Sequence, residues 1–102
     1  MNEQQGMENP PHPGDFIAEI YLEPFKISGR ELAQQLDVAA STLSRVLNGS
    51  SRVTPEMALR LSKVLGRSAE SWLAMQDAHD LWVARQTLDL ARVRPLELSA
   101  AG

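Results

Sequence analysis

Apolar residues recur at helical spacing in five runs along the 102-residue chain, and residues that start or stop helices bracket each run. Phe16, Ile17, Ile20 and Tyr21 form the first stripe, which begins near Pro13 and Gly14 and is expected to end at Pro24, because proline opposes a continuing helix. Leu32, Ala33 and Leu36 form the second. It opens at Ser28-Gly29-Arg30-Glu31, where the Ser oxygen and the Glu carboxylate can each satisfy an orphaned backbone N–H. A tight turn at Asp37-Val38 leads to a third helix over about residues 40–47, which stops at Asn48-Gly49, residues that tolerate a left-handed ending. Thr54 can cap a fourth helix with Pro55 in its first position, and Met57, Ala58, Leu61, Val64 and Leu65 precede the stop at Gly66. The fifth helix begins at Ser68, carries Trp72, Leu73, Met75, Leu81 and Trp82, and reaches about Gln86. The pattern predicts an all-α domain of five helices over residues 13–95, between a flexible polar tail over 1–12 and a disordered tail over 96–102. Leu88, Leu90 and Val93 alternate briefly, which suits either a short strand or an irregular segment.

The third helix has two unlike sides. Leu43, Val46 and Leu47 fall at the i, i+3, i+4 spacing of a buried stripe, while Ser41, Ser44, Arg45 and Asn48 gather opposite. Two helices joined by a short turn form a helix-turn-helix, whose second helix lies in the major groove with its N-terminal side chains near base edges. Ala40 and Ser41 are small enough for close approach, and Arg45 suits guanine N7 and O6, a pairing worth roughly 1–3 kcal/mol of discrimination. Base readout is expected from Ala40, Ser41, Ser44 and Arg45. Thr42, Asn48 and the loop Ser50-Ser51-Arg52 carry the short donors and the cation that grip phosphate and set register.

A formal charge of −3 argues at first against a phosphate-binding protein. The distribution of that charge points the other way. Residues 26 to 67 hold seven basic side chains (Lys26, Arg30, Arg45, Arg52, Arg60, Lys63, Arg67) against three acids, while the flanks are acidic. The absence of cysteine excludes disulfides and thiolate metal sites, and no apolar run approaches a membrane span, so a soluble, cytoplasmic protein is expected. No phosphate loop, nucleophile elbow or His-Glu-x-x-His helix appears, so neither catalysis, a cofactor nor a metal is expected. Trp72 is expected in the core. Trp82, with Leu81, Leu88 and Leu90, comes late in a helix that outlasts a four-helix core and is expected to form a dimer contact.

The stretch ISGRELAQQLDVAASTLSRVLNGSSRVTPEMALRLSKVLG resembles the helix-turn-helix core of the phage-repressor class. With HPGDFIAEI before it and SAESWLAMQDAHDLWVARQ after it, the resemblance narrows to the HigA antitoxin family and runs from about His12 to Pro95. It implies a dimeric repressor that binds double-stranded DNA at a palindromic operator of its own promoter. It also implies a toxin partner, a RelE-like mRNA-cleaving RNase (HigB in that family), which the chain would neutralise by direct binding. Glu19, Glu23, Asp77, Asp80 and Asp89 are candidates for such an acidic surface. Family members also act as solitary regulators, which is the alternative. The chain departs from the family pattern at two places. Asp37 stands at a turn position that often carries Gly, and Asp tolerates the left-handed conformation there. Gly29 replaces a longer polar residue near the start of helix two, leaving Ser28 and the backbone for phosphate contact.

Overall fold

The structure, a computed structural model, describes residues 9–99. It contains five helices and, among the described residues, no strand. The first, α1, spans residues 13–25 and is composite: an α-helical start Pro13–Ile17, a π-helical turn Ala18–Leu22 and a final α-turn Glu23–Phe25. Pro24 therefore lies inside this helix, where the sequence pattern led us to expect its end. The wide turn bonds each N–H to a carbonyl five residues back, so the register slips just before Pro24. Proline then occupies the opening of the last α-turn, where its missing N–H leaves no gap. Lys26, left-handed at φ 56°, ends α1, with the Ile27 N–H on the Leu22 carbonyl at 2.9 Å.

The remaining helices follow their predicted signals. Helix α2, Gly29–Leu36, carries the full capping box, with the Glu31 N–H on Ser28 Oγ at 3.0 Å and the Ser28 N–H on Glu31 Oε1 at 3.1 Å. Asp37 is left-handed (φ 59°, ψ 48°), and the Val38 N–H reaches back to the Ala33 carbonyl at 3.1 Å. Helix α3 is Ala40–Leu47, and helix α4, Pro55–Leu65, is capped by Thr54 and closed by Gly66 at φ 97°. Helix α5, Ala69–Thr87, starts at a Ser68 cap.

Every helix places a side chain in or against one core. Ile17, Leu36, Leu43, Val53, Leu61 and Trp72 are among its fully enclosed members. Trp72 is the core residue predicted, with Phe16 set edge-on to it at 5.9 Å. Only the first half of α5 takes part, since Trp72 and Gln76 are its buried residues. Residues 88–99 are irregular and exposed apart from one turn, Val93 N–H to the Leu90 carbonyl at 3.0 Å, so the brief alternation does not produce a strand.

The N-terminal boundary lies earlier than expected. Pro10 and His12 are buried, the His79 ring bonds the Pro10 carbonyl through Nδ1 at 3.0 Å, and the Gly14 N–H donates to His12 Nδ1 at 2.9 Å. His12 is thus the cap of α1, with the His79 ring edge-on at 5.2 Å. Residues 9–12 belong to the fold; residues 1–8 of the expected flexible tail, like residues 100–102 of the expected C-terminal tail, lie outside the described residues.

A candidate nucleic-acid interface on α2 and α3

The two sides of α3 separate as the spacing predicts. Leu43 and Val46 are 1% and 3% exposed, Leu47 is half-buried, and Ala40, Ser41, Ser44, Arg45 and Asn48 are exposed. Thr42 is half-buried at the edge. Among the described residues no carboxylate pairs with Arg45, so its guanidinium stands beside two hydroxyls on a solvent-facing surface. Ser28 is exposed at the start of α2; its Oγ accepts one bond within the capping box and keeps its own proton to donate.

Three contacts fix the attitude of this face, two of them reaching across the chain and one from the adjoining loop. Arg60 of α4 donates from Nη1 to the carbonyls of Leu36 (2.8 Å) and Asp37 (3.2 Å), closing orphan acceptors at the end of α2. Glu56 holds the same guanidinium through Nη2 at 2.8 Å. At the other end of α3, the start of α1 is pressed against its last turn: a Cβ on Gly14 would lie 2.2 Å from the Val46 carbonyl oxygen and 2.8 Å from Leu47 Cα. The third contact is the Ser51 N–H, which donates to the Arg45 carbonyl at 3.0 Å. Helical spacing carries no sign of the Arg60 or Gly14 contacts; for Gly14 the one signal is a glycine just inside a helix start.

The loop after α3 is internally organised. Asn48 Oδ1 accepts both the Ser50 N–H (3.0 Å) and the Ser50 hydroxyl (2.6 Å), so these two expected phosphate donors are partly engaged with each other. Arg52 is engaged more extensively. Its Nε and Nη2 donate to Asp80 Oδ2 at 3.2 and 2.8 Å, and Nη2 also reaches Asp77 Oδ1 at 3.2 Å. The Asp80 hydrogen bond raises the Arg52 pKa. For Asp80, partial burial opposes ionisation, but hydrogen bonds from Arg52 and Gln76 prevail and hold the carboxyl below its ordinary value. Arg52, the expected phosphate contact, is held here in an intramolecular clasp that also engages Asp77 and Asp80, two candidates for the acidic partner surface; Glu19, Glu23 and Asp89 are exposed.

This reduces the basic surface. Of the seven cations between residues 26 and 67, Arg52 and Arg60 are paired, and Arg67 lies 5.0 Å over the Phe16 ring and 5.7 Å from Trp72. Lys26, Arg30, Arg45 and Lys63 are exposed. Of the expected dimer residues, Leu81, Leu88 and Leu90 are 51%, 61% and 58% exposed, and Trp82 is half-buried. Among the described residues no group of three His, Asp or Glu side chains is arranged to hold a metal, and no helix is long and apolar enough to cross a membrane.

A five-helix domain that fixes one short helix by its apolar side and offers serine and arginine on the other is a helix-turn-helix DNA-binding regulator. Comparison with known proteins agrees. The Helix-turn-helix family HTH_3 matches residues 19–72. The HTH-type transcriptional regulator YddM of Escherichia coli (strain K12) is 46% identical over 90 residues, covering 88% of this chain and 95% of that protein. The crystal structure of PA4674 of Pseudomonas aeruginosa in complex with its 18-bp operator DNA has a TM-score of 0.80 at 28% identity, over 87% of this chain and 99% of that one. The Pseudomonas aeruginosa antitoxin HigA with the higBA promoter has a TM-score of 0.72 at 31% identity, over 76% of this chain and 84% of that one. The chain belongs to the helix-turn-helix family and, within it, to the group of HigA antitoxins and their related regulators, which are non-enzymatic DNA-binding proteins.

Proposed function

We propose that this protein is a HigA-like antitoxin: a dimeric repressor that binds a palindromic operator at its own promoter and also binds and neutralises a RelE-like, mRNA-cleaving toxin in the cytoplasm. The observation that carries the DNA reading is the exposed row Ala40, Ser41, Ser44 and Arg45 on a helix whose other side is enclosed in the core. These four read bases, and Ser28, Thr42, Asn48, Ser50 and Ser51 meet phosphates. A two-fold dimer formed through Leu81, Trp82, Leu88 and Leu90 would set its recognition helices about 34 Å apart, so half-sites are expected about 10 bp apart or at a multiple. With three of the central cations occupied internally, the salt dependence should be shallower than a count of basic residues suggests.

A gel shift on the DNA upstream of the gene tests the repressor reading. Arg45→Ala should lose discrimination of roughly 1–3 kcal/mol at one base pair per half-site; an unchanged operator preference would remove Arg45 from base readout. The alternative of a solitary regulator is supported by the strong similarity to an HTH-type transcriptional regulator. Co-purification with the product of the neighbouring gene separates the two: an antitoxin retains a small basic RNase, and a solitary regulator retains none.

A further inference from the structure

Outside the polar face of α3, one buried side chain joins α5 to the loop that ends the recognition helix. Gln76 is 1% exposed; its Oε1 accepts the Val53 N–H at 2.7 Å and its Nε2 donates to Asp80 Oδ1 at 3.0 Å. An enclosed amide with both ends engaged is held in one orientation. Asp80 is thereby left with Oδ2 toward Arg52, which grips it through Nε and Nη2. One residue before Arg52, the Ser51 N–H holds the carbonyl of Arg45. A continuous path therefore runs from α5 through Asp80, Arg52 and Ser51 to the residue expected to read a base.

We propose that Gln76 and Asp80 are positioning residues for DNA recognition, holding the C-terminal end of α3 at a set angle to α5 through Val53 and Arg52. The inference rests on the DNA-binding reading above. Helix α5 also carries Leu81 and Trp82, directly after Asp80, so the joint connects the dimer contact to the recognition helix and transmits the spacing of two half-sites. Arg52 acts here as a strut. Two carboxylates around one guanidinium leave a net charge of about −1, so withdrawing Arg52 toward a phosphate would expose two anions beside the DNA backbone. An exposed pair adds little to global stability, so loosening it leaves the fold intact.

The test uses the full chain as wild type, Asp80→Asn, Arg52→Gln and the double variant. Binding is measured by fluorescence anisotropy at several salt concentrations, on a duplex that the wild type selects from a randomised pool and on an unrelated duplex. Each single variant should weaken the selected duplex by about tenfold and the unrelated one by less than about twofold, with the double variant no weaker than either single. The salt slope should match wild type in Asp80→Asn, where Arg52 remains paired with Asp77, whereas Arg52→Gln also bares two carboxylates and so serves only to read the ratio between the duplexes. A role in stability alone would lower the melting temperature and leave the ratio between the duplexes unchanged. Asp80→Asn binding equal to or tighter than wild type, or a slope changed by about one unit per subunit, would overturn the proposal and make Arg52 a phosphate ligand. Failure of the wild type to select any duplex would instead remove the DNA-binding reading on which it stands.

Discussion

The helix-turn-helix and the segment beyond α5 treat their apolar residues in opposite ways. In α2 and α3 the stripe is enclosed and the outward residues are polar, so the surface remains hydrated until a phosphate or base replaces the water. Past the end of α5 the apolar residues face outward: Leu88, Leu90, Val93, Leu96 and Leu98 are all more than half exposed, on backbone with a single turn. The first region is complete as a monomer. The second leaves apolar side chains that no described residue covers, a surface suited to the protein contact proposed above. Under the proposed function this divides recognition by chemistry, the polar face serving a charged polymer and the apolar arm another protein surface.

The largest effect that sharpens this contrast is expected where the monomer frame is tightest. Gly14→Ala would drive a Cβ into the Val46 and Leu47 backbone, which cannot yield as a side chain can, so a loss of about 3 kcal/mol is expected in chemical denaturation. Wild-type stability in that variant would mean that α1 does not press on α3 in solution. Next in size, Leu88→Ser with Leu90→Ser should leave the melting temperature at low concentration unchanged while weakening self-association by about tenfold in sedimentation equilibrium, consistent with about 1–2 kcal/mol of lost apolar burial. Equal sedimentation of wild type and variant would dissociate this arm from the dimer.

A smaller effect follows from His12. Burial, then the neighbouring His79 ring, hold its pKa below 6.5, and the neutral ring is the form that accepts the Gly14 N–H. The unfolded chain therefore binds more protons than the folded one below about pH 6.5, so stability is complete above that pH and declines as pH falls toward the depressed folded value. The melting temperature should drop between about pH 7.5 and 5.5. His12→Asn, which retains a capping oxygen but does not titrate, should flatten that slope; an equally steep profile would assign it to another group. Smallest of all, Asp37→Gly should change stability by less than about 1 kcal/mol, whereas Asp37→Val should cost about 1–2 kcal/mol, because a β-branched side chain is strained at φ 59°.

The helix boundaries, caps and apolar stripes were legible in the sequence because they depend on residues at most a turn or two apart. Ser28 and Glu31 find each other three residues away, Asp37 takes up its left-handed turn beside its own helix, and Leu43 and Val46 share a face through the period of the helix alone. The two-sided α3, and with it the candidate DNA face, follows from the same short-range rules. Pro24 is the local signal that misled, since a π-turn upstream shifted the register and let the helix run through it.

What only the tertiary structure decided is which polar residues remain available. Arg52 meets Asp80 across 28 positions, Arg60 meets the Leu36 carbonyl across 24, and His79 meets Pro10 across 69. Composition counts both arginines as free charge and assigns residues 9–12 to a tail. Periodicity describes one element at a time, while an ion pair or a capped carbonyl between distant elements exists only once packing has fixed their distance and angle. The sequence by itself therefore determined the elements and the side each turns to the core, and packing alone chose which of the remaining charges are engaged within the chain and which face a partner.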